Sequence, residues 1–243
     1  MNTQNNHPFR PKHLTTDEIR EGCITLTNGD DMETRICVIN EEFRQGLDFI
    51  QTYDKSVTFF GSARTPEGDP HYEVARRLGY RAAKELDMAV VTGGGPGIME
   101  AGNRGAYEAG GRSIGFSINL PMEQVSNPYM TDELSFYFFF SRKVCMTYSS
   151  QAYVYFAGGY GTLDELFEIL TLVQTEKISR VPIILVGVEF WKPLDAFIKQ
   201  TLLENEATIS PEDPDLYIIT DDEDEVINLL KEAPEHRQDS PQK

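Results

Sequence analysis

Short apolar runs alternate along the chain with longer segments in which apolar residues recur every three or four positions. The short runs are rich in β-branched and aromatic residues and predict strands at 56–60, 88–92, 112–118, 135–140, 152–156, 182–188 and 216–220. The periodic segments predict helices at 40–53, 72–86, 97–109, 141–150, 163–173, 190–204 and 222–232. Strands and helices therefore alternate over most of the chain.

Most of the predicted strands are apolar throughout, which is typical of strands buried on both faces. Repeated strand–helix units of this kind predict an α/β fold, a Rossmann-like doubly wound parallel sheet with helices on both faces. In such sheets ligands bind beyond the carboxyl ends of the strands. We expect a polar N-terminal extension at 1–35, a single domain at 36–233 and a charged tail at 234–243, with both ends mobile.

Composition narrows the class of protein. The 243 residues are 40% hydrophobic and 25% charged, which suits a soluble domain with a sizeable core. No apolar segment is long enough for a membrane helix, and the polar first residues lack the apolar stretch of a secretory signal, so we expect a cytoplasmic protein. The net charge of −17 opposes binding to a nucleic-acid backbone, although a local positive pocket for a small phosphorylated ligand is compatible with it.

The three cysteines are Cys23, Cys37 and Cys145. Their odd number and the lack of metal-ligand spacing predict reduced thiols and no structural zinc. Cys145 has no histidine beside it in the sequence, so we expect a buried core thiol rather than a nucleophile.

Two glycine clusters stand where a predicted strand turns into a predicted helix: VTGGGPGIMEAGNRGA at 91–106 and FAGGYGTLDELFE at 156–168. Glycines there let the backbone approach a ligand, and the free N–H groups of the following helix favour an anion such as phosphate. The alternative is that the glycines only form connecting turns. Neither cluster fits a dinucleotide fingerprint, because Glu100 and Asp164 occupy the positions of the third glycine, and the chain has no P-loop.

Few side chains near these clusters can perform chemistry. None of the four histidines neighbours either cluster in sequence, which leaves Arg142, Lys143, Asp164, Glu165 and Glu168. Carboxylates with an arginine suit acid–base work on a phosphorylated substrate.

Each of these candidates also has a structural interpretation. Arg142 and Lys143 open a predicted helix, where cations are disfavoured unless an anion compensates them, but they could equally be a solvated surface pair. Thr162 and Glu165 have the spacing of a capping box, which alone would explain both residues.

The two glycine motifs, with SRKVCM between them, resemble the LONELY GUY (LOG) family of cytokinin riboside 5′-monophosphate phosphoribohydrolases, formerly described as possible lysine decarboxylases. The family hallmark PGGxGTxxE is matched from Gly158 to Glu165, with Ala157 in place of the usual proline, and the segment at 115–130 resembles the longer bacterial branch. The resemblance implies a Rossmann-like fold, a homodimer or larger homo-oligomer, and hydrolysis of the N-glycosidic bond of a nucleoside 5′-monophosphate such as AMP or an N6-substituted AMP. We expect no cofactor, and the lack of clustered histidine or cysteine ligands predicts no metal.

By this resemblance, Glu165 and Arg142 are the catalytic candidates. The candidates for binding phosphate and substrate are Gly61, Ser62, Gly94, Gly95, Gly97, Ile98, Glu100, Asn103, Lys143, Gly158, Gly159, Tyr160, Gly161 and Thr162. Glu100 and Asn103, one helical turn apart, are expected to contact ribose or to be solvated on the helix surface. The alternative function is a non-catalytic carrier of a nucleotide or phosphorylated cofactor. A lysine decarboxylase is disfavoured, because nothing marks a lysine for pyridoxal phosphate.

Overall fold

A computed structural model describes residues 13–119 and 126–235. Within these residues the strands are β1 (Ser56–Phe60), β2 (Ala89–Thr92), β3 (Ser113–Ile118), β4 (Asp132–Phe136), β5 (Ala152–Tyr155), β6 (Ile183–Val186) and β7 (Ile218–Thr220). The α-helices are α1 (Thr16–Leu26), α2 (Asp31–Ile50), α3 (Pro70–Leu86), α4 (Ile98–Glu108), α5 (Phe139–Ser149), α6 (Tyr160–Gln174), α7 (Val188–Ala196) and α8 (Glu223–Lys231). A π-helical segment (Phe197–Asn205) continues α7, and a 3₁₀ turn (Asp213–Leu216) precedes β7.

The strands form one parallel sheet in the order β4-β3-β2-β1-β5-β6-β7. This confirms the predicted Rossmann-like α/β fold. Successive strands move outward from β1 to β4, and β5 then returns to pair with the other side of β1, where Phe60 lies opposite Tyr155. The order of strands reverses between β1 and β5, so a ligand site is expected beyond the carboxyl ends of these two strands.

The core lies on both faces of the sheet. Every residue of β1 is buried, and neighbouring residues serve opposite layers: Phe59 packs with α3, α4 and α8 residues, whereas Phe60 packs with residues of α2, α5 and α6. The continuous apolar runs in the sequence are thus explained by helices on both sides of each strand.

The fourth strand differs from its prediction. The run SFYFFF predicted a strand at 135–140, but β4 ends at Phe136, and Phe139 and Phe140 form the first turn of α5. Aromatic residues are common in strands because they pack well there. Here, however, Phe139 is 61% exposed, and the chain turns away from the sheet at Tyr137.

The N-terminal region also differs. We expected residues 1–35 to be mobile, but α1 and the start of α2 occupy most of 16–35, so that expectation is wrong there. A capping box between Thr15 and Glu18 starts α1, and the side chain of Asp30 caps α2. The segments 1–12 and 236–243 lie outside the described residues, and the domain boundaries stay predictions.

The expectation of three reduced thiols is wrong. Cys23 of α1 and Cys37 of α2 form a disulfide, with their Cα atoms 5.7 Å apart. The two helices make a hairpin in which Ile19, Cys23 and Val38 are buried together, and this brings two cysteines 14 positions apart within bonding reach. Cys145 is free and buried, as expected. Among the described residues, no helix combines the length and the apolar character needed to cross a membrane.

Candidate active site

Three loops meet at the carboxyl edge of the sheet, after β1, β2 and β5. The N–H of Ser62, just after β1, donates to the carbonyl of Ala157 after β5 over 3.0 Å. The carbonyl of Ser62 accepts from the N–H of Ile98, the first residue of α4, also over 3.0 Å. The loop after β1 therefore joins the two glycine clusters that the sequence placed far apart.

Glycine is required where these loops touch. Gly97 has φ +71°, and a Cβ there would lie 2.3 Å from the Ser62 carbonyl oxygen. A Cβ on Gly61 would lie 2.7 Å from that of Ile98. Helices α4 and α6 begin after Gly97 and Gly159, and neither is capped by the side chain of its own N-cap residue. The N–H of Ile98 already donates to Ser62, but the other N–H groups of the two first turns lie at the same edge of the sheet and can receive an anion.

Arg142, in the first turn of α5, reaches into this edge. Its Nε donates to the carbonyl of Phe116 at 2.7 Å, and its Nη2 lies so close to Gly93 that a Cβ there would be 2.3 Å away. Burial lowers the pKa of Arg142, and the nearby charge of Glu165 opposes that change. The arginine is thus fixed against the first glycine cluster while it interacts electrostatically with a glutamate from the second.

Glu165 lies in α6, and its Oε2 atom is buried without a hydrogen-bond partner among the residues that the structure describes. Burial raises the pKa of Glu165 to about 7; the positive charge of Lys143 opposes the rise and the negative charge of Glu168 adds to it. A buried carboxyl with a pKa near neutrality is typical of groups that transfer protons in enzymes.

The predicted capping box at Thr162 and Glu165 is wrong. Helix α6 begins at Tyr160 after Gly159, so Thr162 lies inside its first turn. The Thr162 side chain instead packs against Gly158, where an added Cβ would lie 2.1 Å from Oγ1. Gly159 adopts an extended conformation before the helix, so the helix starts earlier than the threonine suggested. The structural explanation for Glu165 is thereby removed.

Lys143 connects the two helices. Its Nζ lies 2.7 Å from Asp164 Oδ2 and 2.9 Å from Glu168 Oε2. Burial acts to lower the pKa of Lys143, but the hydrogen bonds that its ammonium group donates to Asp164 and Glu168, together with nearby negative charges, outweigh burial and raise the pKa. Both carboxylates thus already bind the ammonium group of Lys143. Its role as a phosphate ligand stays a prediction.

Of the two alternatives for Glu100 and Asn103, ribose contact or solvation on the helix surface, the structure excludes solvation for Asn103, whereas Glu100 is half-buried. Asn103 is fully buried, and its amide bonds with Thr92, Ser113 and the carbonyl of Ile114. Glu100 accepts a hydrogen bond of 2.8 Å from the hydroxyl of buried Tyr72. Contacts from either side chain to ribose stay predictions.

Asn127 was missed by the sequence analysis. It is 5% exposed, and it holds the first glycine cluster through its backbone N–H to the carbonyl of Gly94 and its side chain to the carbonyl of Gly95. Its side chain also donates to Asn103. The asparagine before a proline in VSNPYM was the available signal, because such pairs favour turns.

The remaining predicted positions lie at the same edge. Tyr160 is 95% exposed at the start of α6, followed by Gly161, and Gly94 has φ +73° in the first cluster. Within 13–119 and 126–235, no group of three or more histidine, cysteine, aspartate or glutamate side chains is arranged to hold a metal ion.

Sequence comparison finds relatives with a consistent description. A probable cytokinin riboside 5′-monophosphate phosphoribohydrolase of Oryza sativa subsp. japonica is 31% identical over 157 residues, which cover 63% of this chain and 61% of the rice protein. A cytokinin riboside 5′-monophosphate phosphoribohydrolase of Rhodococcoides fascians is 25% identical over 152 residues, which cover 62% of this chain and 77% of that protein.

Solved structures share the fold. The X-ray structure of TM1055 aligns with a TM-score of 0.54 at 23% identity, over 73% of this chain and 99% of that chain. The molybdenum cofactor carrier protein of Chlamydomonas reinhardtii aligns with a TM-score of 0.52 at 23% identity, over 73% of this chain and 97% of that chain. At such identities the likeness concerns the fold alone.

A protein-family profile described as "Possible lysine decarboxylase" matches residues 99–230, which is more than half of the chain and includes most of α4, Arg142 and the second glycine cluster. The chain therefore belongs to this family, the LOG family that its two glycine motifs resemble.

Proposed function

We propose that this protein hydrolyses the N-glycosidic bond of a nucleoside 5′-monophosphate, releasing the free base and ribose 5-phosphate. The observation that carries the proposal is the Glu165 carboxyl group: its Oε2 atom is buried without a hydrogen-bond partner among the described residues, and Arg142 is close enough for the two charges to interact. The names of the rice and Rhodococcoides relatives support the same class of reaction.

Glu165 suits the central step. Breaking a ribosyl C–N bond develops positive charge on the sugar, which a nearby carboxylate stabilises. The same carboxylate can accept a proton from the water that attacks the anomeric carbon, and its pKa of about 7 is suited to proton transfer near neutral pH. The missing hydrogen-bond partner leaves an oxygen lone pair for that proton.

Arg142 and the loops would hold the rest of the substrate. The first-turn N–H groups after Gly97 and Gly159 suit the 5′-phosphate, since both helices lack a side-chain cap there. Arg142 would hold the nucleotide or assist the departing base, with its guanidinium kept in place by the carbonyl of Phe116. We infer AMP or an N6-substituted AMP as substrate.

Incubation of the purified protein with AMP and with isopentenyladenosine monophosphate, followed by chromatography, tests the proposal. We expect free base and ribose 5-phosphate, and much slower cleavage of adenosine, which lacks the phosphate. Equal cleavage of adenosine would contradict phosphate binding by the glycine loops. Intact nucleotides together with tight binding by calorimetry would instead indicate a carrier.

We also propose a homodimer that buries the outer faces of α5 and α6. Phe140 and Tyr148 lie two turns apart on α5 and are 44% and 36% exposed, and Phe167 on α6 is 38% exposed. Because the chain carries a net charge of −17, charged faces of two copies repel each other. An aromatic face is therefore the favourable place for two copies to meet.

A further inference from the structure

Helix α5 begins without a cap of its own. Its N-cap residue is Phe138, whose side chain cannot accept a hydrogen bond, and no acidic residue lies in its first turn. The first N–H groups of a helix have no acceptors within the helix and must find them elsewhere. The start of α5 matters because Arg142 lies in this turn.

Glu42 in α2 provides acceptors around this start, for the N–H groups of the two residues before the helix and for the hydroxyl of Ser141. One carboxylate oxygen accepts from the N–H of Tyr137, and the other accepts from the hydroxyl of Ser141 and, at 3.4 Å, from the N–H of Phe138. Glu42 is only 2% exposed. A negative charge at this end of α5 also interacts favourably with the helix dipole.

Helix α2 can deliver this carboxylate because it packs very closely on α5. Gly46, one turn after Glu42, faces Cys145, and a Cβ at that glycine would lie 2.3 Å from the cysteine sulfur. Ser141 and Cys145 are likewise one turn apart on α5. The two pairs, Glu42 with Ser141 and Gly46 with Cys145, therefore form one continuous contact between the helices.

This contact holds the residue next to Arg142. Arg142 follows Ser141 directly, and its backbone N–H donates to the carbonyl of Phe138 over 3.3 Å. Its side chain is held separately by the carbonyl of Phe116. A shift of the first turn of α5 would move the guanidinium relative to both Phe116 and Glu165.

We propose that Glu42 is a positioning residue for Arg142, so that α2 takes part in the active site by capping the helix that carries the arginine. The inference rests on the proposed function, in which Arg142 contacts the nucleotide. Glu42 itself does not touch the reacting atoms; it determines where α5 begins.

A double-mutant cycle tests this role. With AMP as substrate, we expect Glu42→Ala to lower kcat/KM by about 10- to 100-fold, the effect of displacing a reacting group by a fraction of an ångström to one ångström. Glu42→Gln, which keeps one carbonyl acceptor, should recover part of the loss. In an Arg142→Ala background, Glu42→Ala should have little further effect, because both changes act through the same side chain. Additive losses would overturn the proposal.

Glu41→Ala is the matched control. Glu41 precedes Glu42 on the same helix, but its carboxylate accepts from Arg44 and Gln45 of α2 itself. Its replacement should leave kcat/KM close to that of the parent. A loss equal to that of Glu42→Ala would show a general effect of weakening α2 and would overturn the assignment.

Amide hydrogen exchange separates this inference from the proposed function. In Glu42→Gln, the amides of residues 137–142 should exchange faster than in the parent, while those of α8 stay unchanged. Unchanged exchange at 137–142 would overturn the cap. If the parent cleaved no nucleotide, the proposed function alone would fail, and the same cycle would be measured with the calorimetric affinity for AMP.

Discussion

The Glu165 carboxyl is buried at a cost to folding. Its pKa is about 7 in the folded protein against an ordinary value of 4.5, so the folded state binds this proton more tightly than the unfolded chain does. The stability linked to this group is complete below pH 4.5 and is lost as the pH rises through about 7. A carboxyl oxygen that is buried without a compensating hydrogen bond lowers the stability of the fold. Such residues are typical of functional sites rather than of structural cores.

Glu165→Gln should therefore separate stability from activity. Glutamine cannot ionise, so at pH 8 the variant should be more stable than the parent by up to roughly 3 kcal/mol, whereas at pH 4 both should unfold alike. Its turnover of AMP should fall about 100-fold or more, because the negative charge beside the developing ribosyl cation is gone. Thermal unfolding at the two pH values and a rate assay measure both effects.

Glu168→Gln is the control for that variant. Glu168 lies in the same helix but is paired with Lys143 at 2.9 Å, so removing its charge breaks an ion pair. We expect no gain in stability at pH 8 and a much smaller loss of turnover. Near-parent turnover by a folded Glu165→Gln protein would show that the catalyst lies elsewhere.

At the scale of elements, the sequence correctly predicted the strands that are buried on both faces of the sheet. Strands such as β1 and β5 are apolar throughout, and their ends were placed within a residue of the structure. The wrong predictions concern the residues at which helices begin. The start of α6 depends on Gly159 adopting an extended conformation rather than on Thr162. The chain leaves β4 for α5 at a turn where the N–H of Tyr137 donates to Glu42, which is distant in sequence.

The hairpin of α1 and α2 was missed for a related reason. Over 16–38 the two helices are mainly polar and bury few residues, among them Ile19, Cys23 and Val38. The sequence of a docked hairpin of this kind therefore has a pattern of apolar residues similar to that of a mobile extension. The contacts that distinguish them, such as the approach of Gly46 to Cys145, join residues far apart in the chain.

The disulfide gives a test of this hairpin. Thiol titration of unfolded, unreduced protein should find one reactive cysteine per chain, Cys145, and three after reduction. Cys23→Ser with Cys37→Ser should lower the free energy of unfolding by about 3 kcal/mol, the effect of opening a closed loop of about 15 residues. Three reactive thiols before reduction would contradict the pairing.

At the scale of the whole molecule, the chain is strongly acidic, yet in the part that the structure describes no group of three or more histidine, cysteine, aspartate or glutamate side chains is arranged to hold a metal ion. Asp164 and Glu168, the carboxylates beside the candidate site, are both engaged by Lys143. We therefore expect turnover of AMP to survive exhaustive dialysis against EDTA, since the proposed steps need only Glu165, Arg142 and backbone N–H groups. Loss of activity on chelation, with recovery on addition of a divalent metal, would contradict this mechanism.

The proposed homodimer can be tested by adding negative charge to its interface and measuring the mass of the assembly. Light scattering should give about twice the 27.5 kDa mass of one chain. Phe167→Glu with Tyr148→Glu adds negative charge to the outer faces of α5 and α6, where two acidic copies would meet, and should shift the mass toward that of one chain. Tyr80→Glu is the control, because Tyr80 is 41% exposed on α3, which packs on the other face of the sheet. A monomeric parent would refute the dimer, and dissociation caused equally by Tyr80→Glu would show that net charge, rather than this aromatic face, controls assembly.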